Sequence, residues 1–190
     1  MIHSVSMARR QKMVEAALCW ATELHSGQLR DGDKPLPYIF HPIAVCSLVH
    51  DVGGVADTDM LCACILHDTV EECGVSLDEI RERFGRRTAK LVGELTREEP
   101  SPVVAEKLTK DELYVLRNEM LLDGIRQMGD DAKLIKLADR ICNLQEARRT
   151  RTGGKLERYR KQSVQILELI ERGISPPLWD LLKQTIELDG

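Results

Sequence analysis

The sequence predicts an all-helical fold, and three observations predict it. Leu, Ala, Glu, Arg and Lys recur at three- and four-residue spacing along almost the whole chain, alternating apolar and polar runs are nearly absent, and aromatic residues make up only 4%. A chain of 190 residues is enough to bury a sizeable core without disulfides or metal staples, so one domain spanning 1–190 is expected, with 1–7 disordered.

The first helix is expected over about 8–25, with Met13, Ala17, Trp20, Ala21 and Leu24 turned inward and Gly27 ending it. A loop holding Gly32, Pro35 and Pro37 follows. His41-Pro42 reads as a helix start, because a proline in the first turn sacrifices no hydrogen bond. That helix ends near Gly53-Gly54. Asp57 caps the next, which is expected to carry its apolar run through His67-Asp68 to about Cys73, with Gly74 closing it. Ser76-Leu77-Asp78-Glu79 has the pattern of a capping box and opens a short helix ending before Gly85; another covers about 87–96. The segment 97–110, with Pro100 and Pro102, is expected as a loop or mobile flap. Long helices follow over about 111–128 and 131–149, then one over about 156–172, and Pro176-Pro177 precede a short last helix.

Composition excludes several function classes. Apolar residues are 43% and charged residues 31%, which is not the signature of a disordered tail, and no apolar run is long enough to cross a bilayer. With 27 basic against 31 acidic residues the net charge is −4, which argues against nucleic acid or an anionic membrane as a partner. The six cysteines are scattered through apolar segments with no Cys-x-x-Cys pair, and read as reduced, small hydrophobes. The N-terminal residues lack the basic flank and apolar block of a secretory signal, so a cytoplasmic location is expected.

The chemistry-bearing residues are His and Asp. His67-Asp68 sit at the end of an apolar helix, where an imidazole and a carboxylate are costly to bury unless paired or metal-bound. Alone, this dipeptide reads better as a buried hydrogen-bonded pair than as a metal site, and the added His41, Asp139, Glu71, Glu72 and Asn143 reverse that. A second such dipeptide, His50-Asp51, precedes two glycines at a helix end and reads as solvated. Asp139 lies in the apolar run Leu134-Ile135-Lys136-Leu137-Ala138, and Asn143 shares its helical face. Glu71 and Glu72 stand one turn beyond His67 and Asp68. With His41 at one helix start, the chain can supply two imidazoles and two carboxylates, His41, His67, Asp68 and Asp139, to one metal in a helical bundle.

Words around these residues are more specific than the residues alone. Tyr38-Ile39-Phe40-His41-Pro42-Ile43-Ala44-Val45, then Ile65-Leu66-His67-Asp68-Thr69-Val70-Glu71-Glu72, then Phe84-Gly85 and Leu91-Val92, then Lys133-Leu134-Ile135-Lys136-Leu137-Ala138-Asp139-Arg140 with Asn143-Leu144, occur in this order. The series resembles the HD superfamily of metal-dependent phosphohydrolases, and within it the alarmone hydrolase domain of the RelA/SpoT family and its stand-alone small relatives. The resemblance spans about 8–170. It implies a single-domain HD-type helical bundle. The activity implied is removal of the 3′-pyrophosphate from guanosine tetra- or pentaphosphate, usually with a single Mn2+. It further implies that His41, His67, Asp68 and Asp139 hold the metal, that Glu71 and Glu72 are the catalytic acidic pair, that Asn143 lies near the reacting phosphate, and that Tyr159 lines the nucleotide pocket. Where the family carries a basic pair before the Tyr-Ile-x-His-Pro word, this chain has Leu29-Arg30, and no substrate-contacting lysine is matched in 97–110.

The donor set fits that chemistry. Two nitrogens and two carboxylate oxygens without a thiolate form a hard site suited to a divalent ion such as Mn2+, one per chain, with other divalent ions as alternatives. Either glutamate is placed to take a proton from water, and the sequence leaves open which one does. For a polyanionic small-molecule nucleotide, the segment 148–161 supplies seven basic residues against Glu157. Arg30, Lys155 and Tyr159 are the candidate substrate contacts. The remaining alternatives are an HD phosphohydrolase for another nucleotide or phosphorylated metabolite, and a non-catalytic nucleotide-sensing module. The sequence leaves the oligomeric state open.

Overall fold

The computed structural model describes residues 2–188, with side chains from Arg10 onward. Among them the secondary structure is helical, and the only extended pairing is a single antiparallel bridge between Leu29 and Pro37.

Helix α1 (Ile2–Leu24) starts earlier than the sequence pattern indicates. Residues 2–7, expected to be disordered, continue it toward the N-terminus. No Gly or Pro interrupts the chain before Gly27, so nothing local stops the helix from propagating backward. Met1 lies outside the described residues.

Helix α2 (Phe40–Ser47) runs into a wide turn over Leu48–Val52. Asp57 caps α3 (Thr58–Leu66) by accepting the Met60 backbone N–H at 3.0 Å. The helix expected to continue through His67-Asp68 instead breaks there, and α4 (Thr69–Cys73) starts afresh. Two side chains compete with the helix ladder for its carbonyls: His67 Nδ1 lies 2.8 Å from the Cys64 oxygen, and Thr69 Oγ1 donates to the Leu66 oxygen at 2.7 Å. Asp68 then takes φ −95° and ψ −4°, the bridge region, which turns the chain.

Gly74 at φ 69° ends α4 in the left-handed region that other residues avoid. The expected capping box opens α5 (Leu77–Phe84): Ser76 accepts the Glu79 backbone N–H while the Glu79 carboxylate accepts the Ser76 N–H. Helix α6 is Arg86–Leu95. The segment expected as a loop carries a one-turn helix, α7 (Pro102–Ala105), started by Pro102 at its first position. A capping box of Thr109 and Glu112 opens α8 (Lys110–Gln127). Helices α9 (Asp130–Thr150), α10 (Gly154–Leu169) and α11 (Pro176–Glu187) complete the fold, with α10 ending before residue 172.

Two helices sit at the centre. α3 packs against α1, α2 and α6, and α9 against α2, α6, α10 and α11. Burial on all sides explains their composition: Cys62, Ala63, Cys64, Ile65 and Leu66 of α3 are buried in succession, as are Leu134, Ile135, Leu137, Ala138 and Ile141 of α9. Each fully buried Leu or Ile contributes about 1.5–3 kcal/mol, so α3, which ends at His67, and α9, which carries Asp139, are firmly anchored. All six cysteines are free. Trp20 stacks on Phe84 and the Trp179 indole donates to the Ile170 oxygen, packing roles for both.

Candidate metal centre

Three chain segments meet at one point. The first turn of α2 supplies His41, the kink between α3 and α4 supplies His67 and Asp68, and the middle of α9 supplies Asp139. His41, His67 and Asp139 are each buried, and their ligand atoms lie within 4.8 Å of one another. His41 Nε2 stands 3.3 Å from His67 Nε2 and 3.3 Å from Asp139 Oδ1. Asp68 reaches both imidazoles, with Oδ1 3.1 Å from His67 Nε2 and Oδ2 3.5 Å from His41 Nε2.

These residues fit a divalent cation. Two imidazole nitrogens bound at about 2.1 Å stand about 3.0–3.4 Å apart for octahedral or tetrahedral angles, which matches the spacing of the two Nε2 atoms. The Cys64 oxygen holds His67 Nδ1 as the donor, so Nε2 faces the centre, as it must in a metal-ligating histidine. Burial by itself would lower the His67 pKa, but the Asp68 and Asp139 carboxylates override it and push it up to about 10. The centre thus concentrates negative charge where a cation belongs. Asp139 is held well below the usual carboxylate range despite its burial, chiefly by Lys136 and then by the imidazoles. Asp68 is likewise lowered against its burial, chiefly by His67.

A ring of polar partners orients the candidate ligands. Lys136 Nζ donates to Asp139 Oδ2 at 2.9 Å, and Asn143 Nδ2 donates to Asp139 Oδ1. The Tyr38 hydroxyl donates to Asp68 Oδ2 at 2.7 Å, and its ring stacks on the buried His25 with centroids 4.6 Å apart. Burial and the Asp68 charge raise the Tyr38 pKa far above its ordinary value, so this hydroxyl stays a donor. Lys136 and Tyr38 were not singled out from the sequence. Both stand three residues before a ligand, Asp139 and His41 respectively, and for Lys136 that spacing is the readable signal.

The two glutamates part ways. Glu71 accepts the backbone N–H of Arg97, and crowding by protein raises its pKa despite that bond. Glu72 lines a cavity of about 300 Å³ beside the centre, together with Arg30, Tyr38, Asn143, Glu146 and Tyr159. A second cavity of about 290 Å³ opens beyond Tyr159 and is lined by Arg97, Arg117, Arg151, Lys155 and Arg158. The expected substrate contacts are therefore divided: Arg30 borders the first cavity, Lys155 the second, and Tyr159 both. Tyr159 is itself clasped, with the Arg140 guanidinium 3.9 Å and the Arg151 guanidinium 4.9 Å from its ring centre. Arg30 is engaged as well, forming a fork on Glu146 and donating to Asn143 Oδ1 at 2.8 Å. His50 and Asp51 pair with each other on the surface, away from the centre, as the sequence indicates.

Comparison with known proteins places this site in a family. The HD-domain family model matches residues 17–168. The guanosine-3′,5′-bis(diphosphate) 3′-pyrophosphohydrolase MESH1 of Mus musculus is 31% identical over 183 residues, covering 94% of this chain and 95% of its own. The Xenopus tropicalis protein of the same name is 29% identical over 168 residues, covering 88% of each chain. Among solved structures, a metazoan ortholog of SpoT that hydrolyzes ppGpp superposes with a TM-score of 0.79 at 25% identity, covering 94% of this chain and 96% of that one. HD domains bind divalent metal, and the His41, His67 and Asp139 cluster lies inside the matched span. By sequence, fold and ligand cluster together, this chain belongs to the HD-domain family.

Proposed function

We propose that this protein is a metal-dependent guanosine 3′,5′-bis(diphosphate) 3′-pyrophosphohydrolase that uses Mn2+ and acts in the cytoplasm on a free nucleotide, with neither nucleic acid nor membrane as partner. The observation that carries this reading is the meeting of His41, His67, Asp68 and Asp139 next to a cavity walled by Glu72, Asn143 and Tyr159. The names of the full-length relatives support the substrate, and among the described residues no helix is long and apolar enough to cross a membrane.

A divalent ion at this site supplies Lewis-acid charge to a phosphoryl oxygen and acidifies water. His41, His67, Asp68 and Asp139 would hold it. Glu71, whose pKa lies above the ordinary carboxylate value, is suited to take the proton of the attacking water, and Glu72 orients that water from the cavity side. The water oxygen bonds to the phosphorus next to the ribose O3′, the P–O3′ bond breaks, O3′ takes up a proton, and diphosphate leaves. Asn143, fixed between Asp139 and Arg30, offers a neutral polar contact at the reacting phosphate. The basic cluster around Lys155 attracts the remaining phosphates. Release of pyrophosphate from guanosine tetraphosphate by the Mn2+-loaded protein is the test; a metal-loaded protein that turns none over removes this reading.

A further inference from the structure

Asp139, Asn143 and Glu146 follow one another at i, i+4 and i+7 on one face of α9. At 1.5 Å per residue, Glu146 stands about 10 Å along the axis from the metal ligand. That separation is of the order of the reach from a 3′-phosphate to the far edge of a nucleobase. Glu146 is 18% exposed and forms part of the wall of the cavity beside the centre, with Tyr38, Asn143 and Tyr159.

Arg30 fixes the Glu146 carboxylate. Its Nε donates to Oε1 at 3.0 Å and its Nη2 to Oε2, while Nη2 also reaches Asn143 Oδ1 at 2.8 Å. The guanidinium lies over the Tyr38 ring, 5.1 Å from its centre. A carboxylate offers about four lone-pair sites, so the Arg30 fork leaves one on each oxygen for a ligand. The donors of Arg30 that face Glu146 and Asn143 are already used, which makes Arg30 an anchor and Glu146 the group available to the base.

An ionised carboxylate accepts and cannot donate, so it selects a base edge that presents two adjacent N–H donors. Guanine presents N1–H and the N2 amine side by side. Adenine carries an acceptor at N1 and is repelled there. Resting on the alarmone-hydrolase reading, we propose that Glu146, positioned by Arg30, accepts the N1–H and N2–H of guanine and sets the nucleobase preference of this enzyme. The chain has Leu29-Arg30 where the family carries a basic pair, and Arg30 here is committed to fixing the Glu146 carboxylate.

The test compares kcat/KM of the Mn2+-loaded wild type and Glu146→Gln on guanosine 3′,5′-bis(diphosphate) and its adenosine counterpart. It is paired with calorimetric binding of GDP against ADP, which needs no turnover. A bidentate base contact carries about 10- to 100-fold of discrimination, and the guanine-to-adenine ratio should fall by that factor in both measurements. An amide can serve the donor and acceptor of adenine, so the loss falls on guanine. Arg30→Lys keeps the charge but loses the fork, and should lower the same ratio; a merely structural role would reduce both substrates alike. If Glu146→Gln melts without cooperativity, Glu146→Asp carries the same measurement. An unchanged ratio overturns the assignment. Turnover of neither nucleotide by the wild type, with guanine-selective binding that depends on Glu146, removes the hydrolase reading and leaves the base contact standing.

Discussion

The Lys136 ammonium donates to Asp139 Oδ2 at 2.9 Å while the other oxygen of that carboxylate, Oδ1, lies 3.3 Å from His41 Nε2. One oxygen is thus committed to a fixed internal cation and the other is turned to the metal position. Lys136 is half-buried, its side chain 14% exposed, yet its pKa is raised, because Asp139 outweighs the effect of desolvation. Lys136→Met should destabilise the ion-free protein by about 1.5–3 kcal/mol, the worth of one charged hydrogen bond on Asp139, since His41, His67 and Asn143 stay on that carboxylate. Saturating Mn2+ should recover part of that loss. Urea melts with and without the ion check both.

Asp68→Ala and Asp139→Ala should each abolish retention of the metal and of activity, since on the proposed reading each removes a charged ligand from the set His41, His67, Asp68 and Asp139. Metal content of the purified variants, measured by elemental analysis, is the readout. An unchanged stoichiometry in either variant removes that residue from the site.

Tyr38→Phe deletes only the hydroxyl that holds Asp68 Oδ2. Loss of such an outer hydrogen bond costs about 10- to 100-fold in metal affinity or activity. The ring remains to stack on His25, so the melting temperature should barely move while the Mn2+ titration shifts. Recovery of turnover at high Mn2+ distinguishes weakened retention from damaged chemistry.

Glu71→Gln should lower kcat by about 10²- to 10⁴-fold with metal stoichiometry intact. Partial desolvation by the neighbouring protein, with the Asp68 charge, places the pKa of the surface-lying Glu71 above its ordinary value. As the base it is active above that pKa and silent below it, so wild-type kcat should fall as pH drops through it. The acid limb should vanish in Glu71→Gln and persist in Glu72→Gln; the reverse pattern assigns the base role to Glu72.

Away from the centre, Asp57 caps α3 and pairs with Arg87 at 2.7 Å. Burial would raise its pKa, but Arg87 and the Met60 N–H lower it. Its folded value therefore lies below its unfolded value of about 3.9, so its contribution is fully present above that pH and is lost as pH falls through the folded value. Asp57→Ala should cost about 1 kcal/mol at neutral pH, mostly from the lost cap because the exposed pair is screened by solvent. The difference from wild type should shrink in strong acid, as chemical melts across pH would show.

The sequence by itself determined the helices and the ligand candidates, because both are encoded in local spacing. Three-and-four periodicity, the cap at Asp57 and the Ser76-Glu79 box are short-range facts; His67, Asp68 and Asp139 stand out as polar residues in apolar segments, and His41 as the residue at a His-Pro helix start. Only the tertiary structure decided that α3 breaks at His67-Asp68, because the side-chain bonds to Cys64 and Leu66 that turn the chain leave no periodic mark. It also decided that Glu71 and Glu72 face different neighbours, and that Arg30 meets Glu146 and Asn143 across more than a hundred residues of sequence. Contacts of that range depend on how helices pack, and packing is a property of the assembled surfaces that no window along the chain contains.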